Sequence, residues 1–197
     1  MKPQDIETFK QKALQWANTF EVCSYLNSNG YSDRYAKYDL LLAAGASAMV
    51  KMDAGNAFEE LKAFYDEKKT WLFGLLNYDL KNEIEHLHSG NSDGLSFPDL
   101  IFFVPQYLIA VKDMEVDVII GDSAILLEID QVILQQHTVQ HIDIQSKLSK
   151  EKYIKGVEAL KQHILKGDIY EVNFCQEFFA ENATLDPLAI YHRLNQI

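Results

Sequence analysis

The stretch "SKEKYIKGVEALKQHILKGDIYEVNFCQEFFA", residues 149–180, contains a helix start, a helix stop and a change of hydrophobic period. The Ser149 hydroxyl can accept a hydrogen bond from a first-turn amide, and Glu151 stands at the positive end of the helix dipole. Tyr153, Val157, Leu160 and Ile164 then recur at helical spacing, and Gly167 supplies the left-handed residue that closes a helix at about Lys166. Beyond it the period becomes two. Ile169, Glu171, Asn173, Cys175 and Glu177 alternate with Tyr170, Val172, Phe174, Gln176 and Phe178, which predicts a strand with a polar face.

Downstream, Asp186 before Pro187 gives an N-cap and a first-turn proline for a last helix, with Leu188, Tyr191 and Leu194 on one face. Upstream, "HTVQHIDIQSKLSK" (137–150) is polar and alternating and reads as an extended connection. This organisation predicts one domain over residues 1–145 and the start of a second over 146–197.

The first domain opens with Ile6, Phe9, Ala13, Trp16, Ala17 and Phe20 at three- and four-residue steps, the apolar side of a helix. "YDLLLAAGASAMVKM" (38–52) is a buried strand by its short, nearly continuous apolar run. In "AFEELKAFYDEK" (57–68), Phe58, Leu61, Phe64 and Tyr65 share a face, so this segment is an amphipathic surface helix. Four runs follow: "TWLFGLLNYDL" (70–80), "FPDLIFFVPQYLIAVKD" (97–113), "EVDVIIG" (115–121) and "AILLEIDQVILQ" (124–135). They are rich in β-branched and aromatic residues and read as successive strands. With no helix between most of them, they predict antiparallel pairing in an α+β fold, because parallel strands need long crossovers.

At 197 residues and 48% hydrophobic, the chain can bury a sizeable core. A net charge of -11 and a pI near 4.9 oppose nucleic acids and anionic membranes as partners. The first residues carry no apolar run of signal-peptide type, and no stretch approaches the ~20 apolar residues that cross a bilayer, so the expected location is the cytoplasm. Cys23 and Cys175 have no metal-type spacing and read as two buried or idle thiols rather than a disulfide or a zinc site.

Two lookalike motifs lack the right setting. "GNSDG" (90–94) matches the nucleophile-elbow spacing, yet it follows a helix-like run and precedes a strand-like one, so Ser92 is read as a loop serine. His86 and His88, near Glu83 and Glu85, are alternate residues that would diverge on a helix, and they read as a solvated helix end rather than metal ligands. The sequence contains no P-loop, dinucleotide fingerprint or zinc-protease motif.

Two longer patterns are more specific. "GLLNYDLKNEIEHL" (74–87), with Gly74, Tyr78, Asp79, Glu85 and Leu87, followed by "FPDLIFFVPQYLI" (97–109), resembles an element in the N-terminal half of chorismate-utilising enzymes. These are the component I subunits of aminodeoxychorismate (para-aminobenzoate) synthase and anthranilate synthase. Residues 149–180 resemble the opening of that family's chorismate-binding domain. Tyr153, Val157, Ile164, Gly167, Asp168, Tyr170, Val172, Asn173, Gln176 and Phe178 match in order and spacing, while Glu171, Cys175 and Glu177 depart from the usual Gln, Ser and Arg.

The resemblance implies the N-terminal part of a two-sheet, anthranilate synthase component I-like α+β fold with antiparallel strands and outer helices. It implies chorismate as substrate, Mg2+ as cofactor, and ammonia delivered by a glutaminase partner, component II. By the same resemblance, a nucleophile would add to the ring and the 4-hydroxyl would leave, with a bound metal expected to offset carboxylate charge. The metal ligands and the catalytic lysine of the family correspond to no residue of this sequence. The chain is therefore expected to be a fragment, inactive alone, with no catalytic or metal residue of its own.

"YLNSNGYSDRYAKYDLLLA" (25–43) stands where anthranilate synthases carry an L-L-E-S element. This spacing is closer to the aminodeoxychorismate branch, which serves folate synthesis. By the same resemblance Leu26, Ser28, Tyr35, Lys37 and Tyr38 would line a tryptophan-sized pocket; the alternative makes Tyr35 and Tyr38 core aromatics and Ser28 a turn residue. Two other functions remain open: anthranilate synthase component I in tryptophan synthesis, and a non-catalytic amino-acid-sensing or glutaminase-docking module.

Overall fold

The computed structural model describes residues 1–31, 33–88, 90, 93–138 and 141–196. The chain divides into two units, Met1–Gln135 and Gln136–Ile197. In the first, α1 (Ile6–Ala17) precedes β1 (Cys23–Asn27), β2 (Leu40–Met52), α2 (Ala57–Lys68) and β3 (Phe73–Leu76). A short 3-10 turn (Tyr78–Leu80) runs into α3 (Lys81–Glu85), followed by β4 (Leu100–Lys112), β5 (Glu115–Ile120) and α4 (Ile125–Asp130).

β4 organises the sheet. One edge pairs with β2 along almost its whole length, from Leu40 opposite Val111 to Met52 opposite Leu100. The other edge is shared: β3 takes the N-terminal half and β5 the C-terminal half. β1 closes the far side of β2, and every pairing is antiparallel, as the lack of crossover helices predicts. Pro105 has no N–H to give to a ladder, and it stands beside the register shift between Ala46 and Ala48, where a bulge relieves that demand.

One core joins α1 and α4 to the sheet through Phe9, Ala13 and Trp16 against Leu40, Leu42, Ile109, Val111 and Val116. Each fully buried Leu or Ile there contributes about 1.5–3 kcal/mol relative to exposure. A second core places Ala57 of α2 with Leu80 and Leu100, and a third packs Ala43, Phe73, Phe103 and Leu108.

The run 124–135, read from sequence as a strand, is corrected to the helix α4 followed by irregular chain. Ile125, Leu126 and Ile129 are buried on a helical face, and the Asp122 carboxylate accepts from the Ala124 amide at 2.9 Å to start the turn. The Gln15 side chain then holds the segment that follows, donating to the Ile133 carbonyl at 2.9 Å and accepting from the Gln135 amide at 2.8 Å.

In the second unit, β6 (Gln145–Ser146) pairs with β7 (Phe178–Phe179), flanked by α5 (Lys150–Lys166) and α6 (Pro187–Leu194). The helix signals hold. Ser149 Oγ accepts from Lys152 N at 3.3 Å, Gly167 takes φ 80°, and Asp186 accepts from the Leu188 and Ala189 amides. The strand predicted from Ile169 to Phe178 is corrected: its only ladder among the described residues is the two-residue β7. An alternating pattern gives a segment two faces, but a strand forms only where a second chain segment supplies hydrogen bonds. Side chains anchor it instead: the Tyr153 and Phe174 rings stack at 5.1 Å, and the Tyr153 hydroxyl donates to the Phe174 carbonyl at 3.3 Å.

Candidate functional site

The end of β1 and the start of β2 build a cleft. Register sets it: Leu26 lies opposite Leu41 and Asn27 opposite Leu40, and beyond the ladder the Ser28 amide donates to the Asp39 carbonyl at 2.9 Å. The chain then turns through Asn29 (φ 51°) and Gly30 (φ 77°), with the Tyr31 amide returning to the Ser28 carbonyl at 2.9 Å. Positive φ at both central positions is what a type I′ turn demands, and Asn-Gly suits it best.

A second turn brings the chain back. The Asp33 carboxylate accepts from the Tyr35 amide at 2.8 Å and its carbonyl from the Ala36 amide at 3.0 Å, so Lys37 and Tyr38 arrive beside Leu26 and Ser28. Tyr25, Asn27 and Leu41 complete the walls of a cleft of about 560 Å³. That is within the range of small-ligand sites.

Four of the five residues expected from sequence thus meet: Leu26, Ser28, Lys37 and Tyr38. Tyr35 is not among the lining residues. It is 75% exposed, neither in the cleft nor in the core, and the Arg34 guanidinium lies over its ring at 4.4 Å. Tyr25, Asn27 and Leu41 were not anticipated; the β1–β2 register brings them beside the expected residues.

An aromatic train backs the cleft. The Tyr38 ring meets Trp71 edge-on at 6.4 Å, Trp71 stacks near Phe73 at 6.2 Å, and Phe73 packs on Phe103 at 6.3 Å. The Lys37 ammonium lies 5.4 Å from the Tyr38 ring centre. The Asn27 Oδ1 is buried without a hydrogen-bond partner among the described residues. Behind the cleft, Asp39 accepts from the Asp113 amide at 2.9 Å and from Lys112 Nζ at 3.2 Å. The amide first and then the ammonium hold its carboxyl below the usual aspartate range, against the opposing effect of burial. The lining therefore offers a cation, a hydroxyl and apolar walls, a set that suits an amino acid or another small molecule with an anionic end and an apolar body.

The lookalikes have other roles. Ser92 lies outside the described residues. His86 is the left-handed, exposed residue that ends α3 (φ 49°), while Glu83 caps α2. Tyr78, Asp79 and Asp99 of the first motif line a second cleft of about 1140 Å³. Two of its carboxylates are already engaged: Asp99 accepts from the Ala54 amide at 2.8 Å, and Asp79 pairs with Lys81 at 2.6 Å.

Among the described residues no group of three or more His, Cys, Asp or Glu side chains could hold a metal ion. No step is assigned to the Mg2+ that the resemblance implies. Cys23 and Cys175 are free, and burial pushes the Cys23 thiol up. No helix among the described residues is long and apolar enough to cross a membrane.

Comparison with known proteins follows the same line. A family model described as chorismate binding enzyme matches residues 21–197. Anthranilate synthase component 1 of Buchnera aphidicola subsp. Pemphigus spyrothecae is 28% identical over 148 residues, covering 66% of this chain and 28% of its own length. The protein of that name from Cereibacter sphaeroides is 27% identical over 178 residues, covering 72% and 35%. The chain thus spans about a third of the length of these curated relatives. The crystal structure of anthranilate synthase component I from Streptococcus pneumoniae TIGR4 superposes with a TM-score of 0.66 at 17% identity, over 84% of this chain and 46% of that one. The antiparallel α/β architecture matches that fold.

Proposed function

Because the chain belongs to the chorismate binding enzyme family, we propose that it is part of component I of aminodeoxychorismate synthase and is inactive without the rest. This enzyme replaces the 4-hydroxyl of chorismate with an amino group, using ammonia from a glutaminase partner and releasing water, for para-aminobenzoate and folate synthesis. One observation carries the choice of branch. Residues 25–43 carry no L-L-E-S element of the anthranilate branch, and the Asn27 Oδ1 is buried with no donor among the described residues. A glutamate carboxylate in that place would be a buried charge without a partner, a costly arrangement. The site favours the neutral amide.

The cleft is the regulatory part of this proposal. Lys37 would take the carboxylate of an amino acid of tryptophan size, Ser28 a polar contact, and Leu26, Tyr38 and Leu41 its apolar body.

A second reading, anthranilate synthase component I, is favoured by the names of both curated relatives. The two readings separate by product. The native protein, isolated from its source cells with its accompanying subunits, is given chorismate and ammonia. The expected product is 4-amino-4-deoxychorismate, with the enolpyruvyl group retained. Anthranilate and released pyruvate would establish the second reading, and no consumption of chorismate would overturn both.

A further inference from the structure

The second unit holds a cleft that the chorismate reading does not use. Its walls come from the connection before α5 and from α6: His137, His141, His192, Arg193, Thr138 and Gln196 supply its polar groups, in a volume of about 680 Å³. No Asp or Glu among the described residues lines it. That is unexpected in a chain with 29 acidic and 18 basic residues. The carboxylate of Asp186, which bonds the lining residue His137, is already engaged: its Oδ2 lies 2.6 Å from His137 Nδ1, and its Oδ1 accepts the Leu188 and Ala189 amides.

The donors are placed rather than scattered. His192 and Arg193 are adjacent on the last turn of α6, and the His192 ring centre lies 6.3 Å from that of His137. Asp186 fixes the His137 ring, leaving its Nε2 buried without a partner among the described residues. Arg193 is exposed and makes no ion pair among the described residues. A guanidinium, three imidazoles, a hydroxyl and a carboxamide around one cleft form a donor set for an anion, and the guanidinium fork matches two oxygens of a phosphate or carboxylate.

We propose that this cleft binds a small oxyanion, the phosphate or carboxylate group of a metabolite, with Arg193 as its principal contact and His192 and His141 beside it. The site lies within the second unit and is independent of the branch assigned above.

The test follows the imidazole and guanidinium NMR signals of the full chain during titration with inorganic phosphate and, separately, with malonate, at constant ionic strength set by chloride. Saturable shifts confined to His137, His141, His192 and Arg193 are expected with at least one probe. Phosphate alone would identify a phosphoryl ligand, malonate alone a carboxylate, and both the shared chemistry. Arg193→Gln, at an exposed position, should weaken binding about tenfold, the loss of one charge-assisted contact. Lys166→Gln removes the same charge outside the cleft and should change nothing. Linear, non-saturating shifts with both probes, or equal weakening by the two substitutions, would overturn the proposal.

Discussion

The carboxylate of Glu83 stands 2.7 Å from the amide nitrogen of Ala57, so the first turn of α2 is capped by a residue of α3. The Gly55 amide joins it at 2.6 Å, whereas Asn56, the residue in the N-cap position, makes no side-chain cap bond. Accepting the Ala57 and then the Gly55 amide holds the Glu83 carboxyl below the usual glutamate range. A folded-state pKa below the unfolded one stabilises above the unfolded value, and the benefit is lost as pH falls through the folded value. Glu83→Gln should therefore lower the melting temperature at neutral pH, and the gap to wild type should close on acidification. Parallel curves across that range would refute the cap.

Gly74, the first residue of the G-x-x-x-Y-D pattern, sits in β3 where a Cβ would run into the Ile101 carbonyl oxygen and come within 2.7 Å of Phe102 Cα. Both are backbone atoms of β4 and cannot rotate away. Gly74→Ala should cost about 1–3 kcal/mol in denaturant unfolding, the usual range for overpacking. Gly94→Ala, with nothing within 4 Å, is the control and should be near neutral.

What could be read from the sequence depended on whether the signal was local. Helices α1, α2, α5 and α6 carry their own periodicity, and Ser149, Gly167 and Asp186 mark their ends, so they stand where the residues predict. The 124–135 run was ambiguous because Ile125, Leu126 and Ile129 suit a buried strand as well as one helical turn; packing against α1 decides it. β1 gave no signal, because "CSYLN" alternates weakly and its Leu26 is 55% exposed. Residues 169–177 alternate clearly yet form no ladder, since pairing depends on a partner that no local pattern encodes. The cleft follows the same rule. Leu26, Ser28, Lys37 and Tyr38 meet through the Ser28–Asp39 hydrogen bond, while the turn at Asp33 leaves Tyr35 outside.

That division makes the cleft testable residue by residue. Tyr38 is 6.4 Å from Trp71, so a ligand seated there should perturb indole fluorescence. Titration with tryptophan should give a saturable change. Lys37→Met should weaken it about tenfold by removing a charge-assisted contact, and Ser28→Ala less. Tyr35→Ala should leave it unchanged. Equal loss in the Tyr35 variant would place the ligand elsewhere.

Gln176 carries the most distinctive contact of the second unit. Its Nε2 donates to the Leu148 carbonyl at 2.7 Å and its Oε1 accepts from the Leu148 amide at 3.2 Å, so one side chain reproduces the pair of bonds a strand neighbour would make. This ties residues 168–179 to the connection before α5 just beyond the end of β6, where the Lys147 amide also donates to the Glu177 carbonyl at 2.9 Å. Gln176→Leu removes both bonds and should cost roughly 1–3 kcal/mol, with loss of hydrogen-exchange protection at the Leu148 amide. Gln176→Glu separates the two bonds. At neutral pH it keeps the acceptor but turns an anionic oxygen toward the Leu148 carbonyl, so its deficit should equal or exceed that of the leucine variant. A protonated carboxyl can again donate, so the deficit should narrow as pH falls, whereas that of Gln176→Leu should not. If both variants track together with pH, the amide is not reading the Leu148 backbone, and the anchoring of this segment would rest on the Tyr153–Phe174 contacts, the Lys147–Glu177 bond and the β6–β7 ladder.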